Sequence, residues 1–247
     1  MRVYRQDCFV LRTTPYSESS LIVDMFTRSY GRINLLAKGA RRKTSRFRGL
    51  IRPFQRLSAN WSGKGNVPTL TALKCDSDSQ WIESERLYCR YYLNELLIRL
   101  LLDRDPHEVL FDAYYLALER LKEPSSEFHT LRVFEKVFLQ ELGYALQLTS
   151  ESDSNLPIDP SNVYTYDFAR GPVQANGDEA VVVSGETLLS VAREEFKTKK
   201  VRSESKQLLA AVIDHYLEGK PIHSRRIFNQ TIQHRLSRDR ITSSVES

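Results

Sequence analysis

Ser20-Leu21-Ile22-Val23-Asp24-Met25-Phe26-Thr27 and, past the turn closed by Gly31, Arg32-Ile33-Asn34-Leu35-Leu36-Ala37 decide the fold. Both segments are short and rich in β-branched and apolar residues, and only a tight turn separates them, the pattern of two adjacent strands. Working outward, Cys8-Phe9-Val10-Leu11-Arg12-Thr13 precedes them across the turn Pro15-Tyr16-Ser17-Glu18. Pro53-Phe54-Gln55-Arg56-Leu57-Ser58-Ala59-Asn60-Trp61 and Thr69-Leu70-Thr71-Ala72-Leu73-Lys74 follow, joined by Ser62-Gly63-Lys64-Gly65-Asn66. Five strands within about 75 residues, linked by short turns except for one long connection after the third, predict a small closed barrel of the OB type.

That long connection is Lys38-Gly39-Ala40-Arg41-Arg42-Lys43-Thr44-Ser45-Arg46-Phe47-Arg48, with six cations in eleven residues; the span from Met25 to Cys75 holds twelve Lys or Arg and no Asp or Glu. A solvated loop is the bland alternative, but the acid-free span reaches far past the run itself. Neutralising phosphates releases condensed counterions, so such a span fits a polyanion bound without regard to its sequence. Lys38, Arg41, Arg42, Lys43, Arg46 and Arg48 are the leading DNA-binding candidates, flanked by Arg12, Arg32, Arg52 and Arg56, whose facing the pattern leaves undetermined. Phe47 and Trp61 each fit either the barrel core or a platform for bases.

The chain has 247 residues, 41% hydrophobic and 27% charged, enough for two compact units. Residues 1–80 carry 15 Lys or Arg against five Asp or Glu, and the remainder 21 against 26, so the net charge of +5 hides a change of sign near residue 80. Periodicity changes there too, predicting an OB-fold nucleic-acid-binding domain over 1–80 and a mainly helical domain over 81–247. Tyr88, Tyr91, Tyr92, Leu96, Leu97, Leu100 and Leu101 recur at helical steps. Asp105-Pro106-His107-Glu108 reads as an N-cap with Pro at N1 and Glu at N3. A third helix carries Leu131, Phe134, Val137, Phe138 and Leu142 and stops near Gly143. Residues 149–162 read as a polar loop, and Val163–Phe168 with Glu179–Val183 as a small hairpin. Ser184 and Ser203 are expected N-caps, the second helix running to Gly219, and a last helix is expected from Ser224. The predicted class is α+β: an N-terminal OB-fold β-barrel, then a mainly α-helical domain with a small β-hairpin insertion.

No apolar run approaches the ~20 residues of a membrane span, so no membrane association is expected. Met1–Asp7 lacks the apolar core of a signal peptide, and Cys8, Cys75 and Cys89 are too sparse for a disulfide framework; both point to the cytoplasm. Motifs for catalysis are missing: there is no G-x-x-x-x-G-K-[ST], no H-E-x-x-H and no C-x-x-C. His107, His129, His215, His223 and His234 have no evident nucleophile or carboxylate mate, and Glu83/Glu85 and Glu194/Glu195 read as solvated faces. The expectation is a protein that is not an enzyme and holds no cofactor or metal. A second basic group, Lys220, Arg225 and Arg226 with Arg235, Arg238 and Arg240 beyond them, either complements helix ends or forms an auxiliary DNA-binding patch. A basic barrel does not by itself distinguish deoxyribose from ribose, so an RNA-binding OB-fold factor is the alternative; a magnesium nuclease would need acids that the basic span lacks.

Ser17-Glu18-Ser19-Ser20-Leu21, Asp24-Met25-Phe26-Thr27, Gly31-Arg32-Ile33 and above all Ala37-Lys38-Gly39-Ala40-Arg41-Arg42 resemble the barrel of the bacterial recombination mediator family RecO. Tyr92-Leu93-Asn94-Glu95-Leu96-Leu97, Leu142-Gly143-Tyr144, Gly219-Lys220-Pro221 and Ser224-Arg225 resemble its helical and C-terminal parts, so the likeness covers nearly the whole chain. The resemblance implies DNA repair and homologous recombination: binding of single- and double-stranded DNA without sequence specificity, annealing of strands coated with single-strand-binding protein, and, with RecR, assistance to RecA loading in the RecFOR pathway. It implies a cytoplasmic, nucleoid-associated protein. Many members carry a four-cysteine zinc module in the region matching about 150–185; this chain has no cysteine there, and the loop and hairpin of 149–183 are expected to replace it. The family also docks the acidic C-terminal tail of single-strand-binding protein on its helical domain, for which Arg132, Phe134 and Phe138 are candidates.

Overall fold

The computed structural model describes residues 2–75, 84–144, 146–175 and 181–225. Their elements are β1 (Arg2–Pro15), β2 (Leu21–Thr27), β3 (Gly31–Ala37), β4 (Arg56–Ser62), β5 (Thr69–Cys75), α1 (Ser84–Leu100), α2 (Glu108–Arg120), α3 (Glu127–Glu141), β6 (Val163–Asp167), β7 (Gly171–Gln174), β8 (Val182–Ser184), α4 (Gly185–Arg193) and α5 (Lys199–Tyr216).

The first five strands close into a barrel in the order β1-β2-β3-β5-β4, the five-stranded OB arrangement. Residues of β3 alternate buried and half-buried along its length, as the period of two in a half-buried strand requires. Val10, Val23, Met25, Ile33, Leu35, Leu57, Ala59, Trp61 and Leu70 fill the interior. β3 and β5 run parallel and pair at Leu36 and Thr69, where the Leu36 amide donates to the Pro68 carbonyl at 2.8 Å. β1 begins six residues before the expected Cys8. Its register shifts between Val3 and Gln6, and Arg5, at φ 51°, gives its amide to Asn60 Oδ1 at 2.7 Å. That bulge breaks the alternation by which the strand's first half would have been read.

The chain forms two compact units: the barrel with α1 and the chain to Pro106, joined by the chain from Pro221, and residues His107–Lys220. In the first, α1 lies on β1, and Asn94 Nδ2 donates to the Leu11 carbonyl at 2.9 Å. Residues 221–225 return to α1, where Glu95 accepts from the His223 amide at 2.9 Å and from the Ser224 amide and hydroxyl at 2.8 and 2.7 Å. A carboxylate on the orphan amides of a starting helix is the favoured arrangement. Burial pushes the Glu95 pKa up, but the hydrogen bonds from Ser224 and His223 and the nearby Arg99 outweigh it and hold the carboxyl below its ordinary value.

In the second unit α2 packs on α3 through Tyr114 against Phe134, ring centroids 6.3 Å apart, with Leu188, Leu208, Leu209 and Val212 also buried. The expected hairpin is a three-stranded sheet in the order β7-β6-β8. Gly171 and Pro172, which fall between the two expected hairpin strands, open β7, an edge strand on which the missing amide of proline is tolerated. Two expected caps are corrected. α2 starts at Glu108 with His107 in the cap position and no side-chain cap bond, so the Asp105 box does not form. α5 starts at Lys199, capped by Thr198, whose hydroxyl accepts from the Val201 amide at 3.1 Å; Ser203 lies inside the helix. Ser184 does precede α4, but its hydroxyl and that of Thr187 donate to Glu204 at 2.6 and 2.7 Å. No helix among the described residues is long and apolar enough to cross a membrane.

Candidate nucleic-acid interface

The connection between β3 and β4 is a chain of tight turns: Arg42, Ser45, Arg48 and Leu50 each donate their amide to the carbonyl three residues back. Phe47 sits at its centre, 3% exposed and part of the barrel core, with Ala40, Leu50 and Ile51 packed against the same cluster. Burying such a ring contributes about 2–3 kcal/mol, which holds the loop to the barrel. A second tie joins it to the β1–β2 turn: the Arg41 amide donates to the Ser19 carbonyl at 3.0 Å, and Arg41 Nη1 to the Ser17 carbonyl at 2.8 Å.

With the apolar residues turned in, the cations face out. Lys38, Arg41, Arg42, Lys43, Arg46 and Arg48 are all exposed. Arg48 Nη1 reaches the Lys43 carbonyl at 3.1 Å, and the Arg46 guanidinium lies 4.9 Å from the Phe47 ring centroid. Among the described residues none of the six forms an ion pair with a carboxylate. Six uncompensated charges on one anchored loop make a fixed positive surface.

The flanking arginines divide. Arg52 is exposed, and Arg12, 56% exposed, stands 3.5 Å from Asp24. Arg32 is different: 14% exposed, it grips Asp24 through Nε and Nη2, each at 3.0 Å, and donates Nη1 to the Leu101 carbonyl. Its charge is spent inside the unit, which removes it from a phosphate-facing surface. Arg56 is held by Asp7 at 2.6 Å. Phe47, 3% exposed, is core and offers no stacking face; Trp61, 2% exposed, is core as well and borders open space only in a cavity it shares with Tyr30 and Pro68. Tyr16, to which the sequence pattern gives no role, is 64% exposed and sits on the same β1–β2 turn that Arg41 grips. Separation in sequence hid it; the signal was an aromatic beside Pro15 in a turn otherwise built of small polar residues.

Of the second basic group, Lys220 is exposed and 3.8 Å from Glu218, and Arg225 donates to the Tyr92 hydroxyl at 2.9 Å while lying 5.2 Å from that ring. Arg226, Arg235, Arg238 and Arg240 lie outside the described residues. Arg132, Phe134 and Phe138 do not form a surface pocket: they are 6%, 1% and 0% exposed, and Arg132 pairs with buried Glu135 at 2.5 Å one turn along α3. On the same helix Phe128 does lie beside an exposed cation, with Arg202 4.5 Å and Arg132 5.4 Å from its ring centroid and Phe196 edge-on at 5.6 Å.

Two family models span the barrel and the helical part: Recombination protein O N terminal matches residues 1–77, and Recombination protein O C terminal matches residues 83–226. The chain belongs to the RecO family of DNA repair proteins. The DNA repair protein RecO of Aromatoleum aromaticum is 44% identical over 231 residues, 93% of this chain and 96% of that protein. Those of Dechloromonas aromatica and Nitrosospira multiformis are 44% and 41% identical over 234 and 228 residues, covering 93% and 91% of this chain and 96% and 94% of theirs. In this RecO-family chain the region expected to replace a zinc module folds around buried Tyr164 and Tyr166. Lacking thiolates, its side chains do not match a four-cysteine zinc site.

Proposed function

We propose that this protein binds single- and double-stranded DNA through the Lys38–Arg48 loop without reading base sequence, and anneals complementary strands coated with single-strand-binding protein. With RecR it assists RecA loading. The supporting observation is the set of six exposed, carboxylate-free cations on a loop pinned to an OB barrel. Annealing needs no bond chemistry: cations screen the phosphates of two strands, their mutual repulsion falls, and base pairing supplies the specificity. The protein acts as a mediator rather than an enzyme and works in the cytoplasm at the nucleoid. Arg52 and Arg12 extend the phosphate path, and Tyr16 offers a base-stacking face beside it.

The acidic tail of single-strand-binding protein docks at Phe128, Phe196 and Arg202, where an apolar surface lies under an exposed guanidinium. The test is strand annealing with bare and coated DNA, the coat made with intact or tail-less single-strand-binding protein. Intact coat should be annealed, tail-less coat should not, and Arg202→Glu should reproduce the tail-less result. Annealing of tail-less coat at the intact rate would refute recruitment through the tail.

A further inference from the structure

β3 and β5 pair only at Leu36 and Thr69 among the described residues, so toward Tyr30 the barrel seam carries no further ladder pair. Beside that seam lies a cavity of about 360 Å³; of its lining, Ile33, Trp61 and Pro68 are buried, Tyr30 is half-buried, and Ser29, Lys64 and Arg104 are exposed and mark its mouth. Tyr30 and Trp61 meet edge to face, centroids 5.3 Å apart. That volume falls at the small end of the ~300–1,000 Å³ range of ligand sites.

The mouth is built. Residues 103–104 run along the free edge of β3, with the Arg104 amide donating to the Arg32 carbonyl at 2.7 Å. The fit there is so close that a Cβ on Gly31 would lie 2.0 Å from the Asp105 carbonyl oxygen. Arg104 adopts φ 62°, uncommon for a non-glycine residue, and its Nη2 holds the Gly65 and Asn66 carbonyls at 2.7 and 3.0 Å. The guanidinium is thereby fixed on the β4–β5 turn beside Lys64, with Nε and Nη1 carrying no partner among the described residues. Among the described residues no carboxylate side chain lines the cavity.

An aromatic-walled slot with two cations at its mouth matches one unstacked nucleotide: a flat base against Tyr30, its phosphates on Lys64 and Arg104. We infer that this cleft takes a single unpaired base of a DNA strand and so makes the barrel favour single strands over duplex. The inference rests on the DNA-binding function proposed above. A duplex base enters only by unpairing and unstacking, which costs a few kcal/mol, whereas a single-stranded base pays far less; the loop cations, which see phosphate alone, serve both.

The experiment uses the full chain and an oligonucleotide with one 5-iodo-deoxyuridine, photocrosslinked as single strand or duplex and mapped by peptide mass spectrometry. Crosslinks to Tyr30 or Trp61 are expected from the single strand and not from the duplex. Ser29→Trp, which blocks the mouth from an exposed position, should weaken single-strand binding about tenfold, as loss of one stacked base does, and leave duplex binding and melting temperature unchanged. Ser29→Leu, a smaller uncharged block at the same exposed position, gives the same comparison should Ser29→Trp lower the melting temperature. Crosslinks confined to residues 16 and 38–52, or single-strand affinity unchanged in both variants, would overturn the cleft assignment alone. Failure of the unmodified protein to bind either form of DNA would instead overturn the DNA-binding function.

Discussion

Replacing Arg42 and Lys43 together by alanine isolates the electrostatic claim, because both side chains are exposed and neither makes a hydrogen bond or ion pair among the described residues. The barrel should keep its stability and Phe47 its seat. If each of the six loop cations neutralises one duplex phosphate, the slope of log affinity on log salt is about −5.4, and removing two contacts brings it to about −3.6. Between 50 and 200 mM salt the unmodified protein should then lose about 1,800-fold in duplex affinity and the double variant only about 150-fold. Fluorescence anisotropy of a labelled duplex across a salt series measures both slopes, with thermal melting as the control for folding. Equal slopes in the two proteins would show that Arg42 and Lys43 touch no phosphate and would refute the assignment of one phosphate to each of the six loop cations.

Phe47→Ala should destabilise the barrel by about 3–5 kcal/mol through the cavity it leaves, read as a lower urea midpoint; an unchanged midpoint would mean that the loop is not seated by this ring. Asp24→Asn leaves the Arg32 guanidinium with only the exposed Asp103 carboxylate at 3.6 Å and should cost about 3 kcal/mol, again read by urea unfolding. Glu95 is held below its ordinary 4.5 in the fold, so its anchoring of residues 223–224 is fully present above that value and fades as pH falls through the folded value. The protection of the His223 and Ser224 amides, measured as exchange relative to the unfolded-chain rate at each pH, should fall across that acid range, and Glu95→Gln should remove this pH dependence.

Much of the barrel is legible in sequence because strands such as Gly31–Ala37 bury alternate residues and sit between turns marked by glycine and proline. The first half of β1 escapes notice because the Arg5 bulge interrupts that alternation. Capping fails where tertiary demands win: Asp105 has the right neighbours for a cap, but its backbone is pressed against Gly31. At the interface, charge counting finds the loop and not the fate of each charge. Arg32 and Arg42 look alike along the chain, yet one closes on Asp24 and the other meets solvent. Burial likewise separates Phe47 from Tyr16, and only the folded β1–β2 turn brings Tyr16 to the side of Arg41. On α3, helical spacing identifies the apolar face of Phe134 and Phe138 but gives no sign that Arg132 turns inward with it to meet Glu135.

Seating the basic loop on Phe47 makes spacing, rather than the chemical identity of each cation, the quantity that variation must respect. A lysine exchanged for an arginine leaves a positive charge at the same address, whereas one residue inserted between Gly39 and Phe47 would rotate every later side chain off its bearing at once. Related chains should therefore trade cations freely along this arm while holding its length fixed.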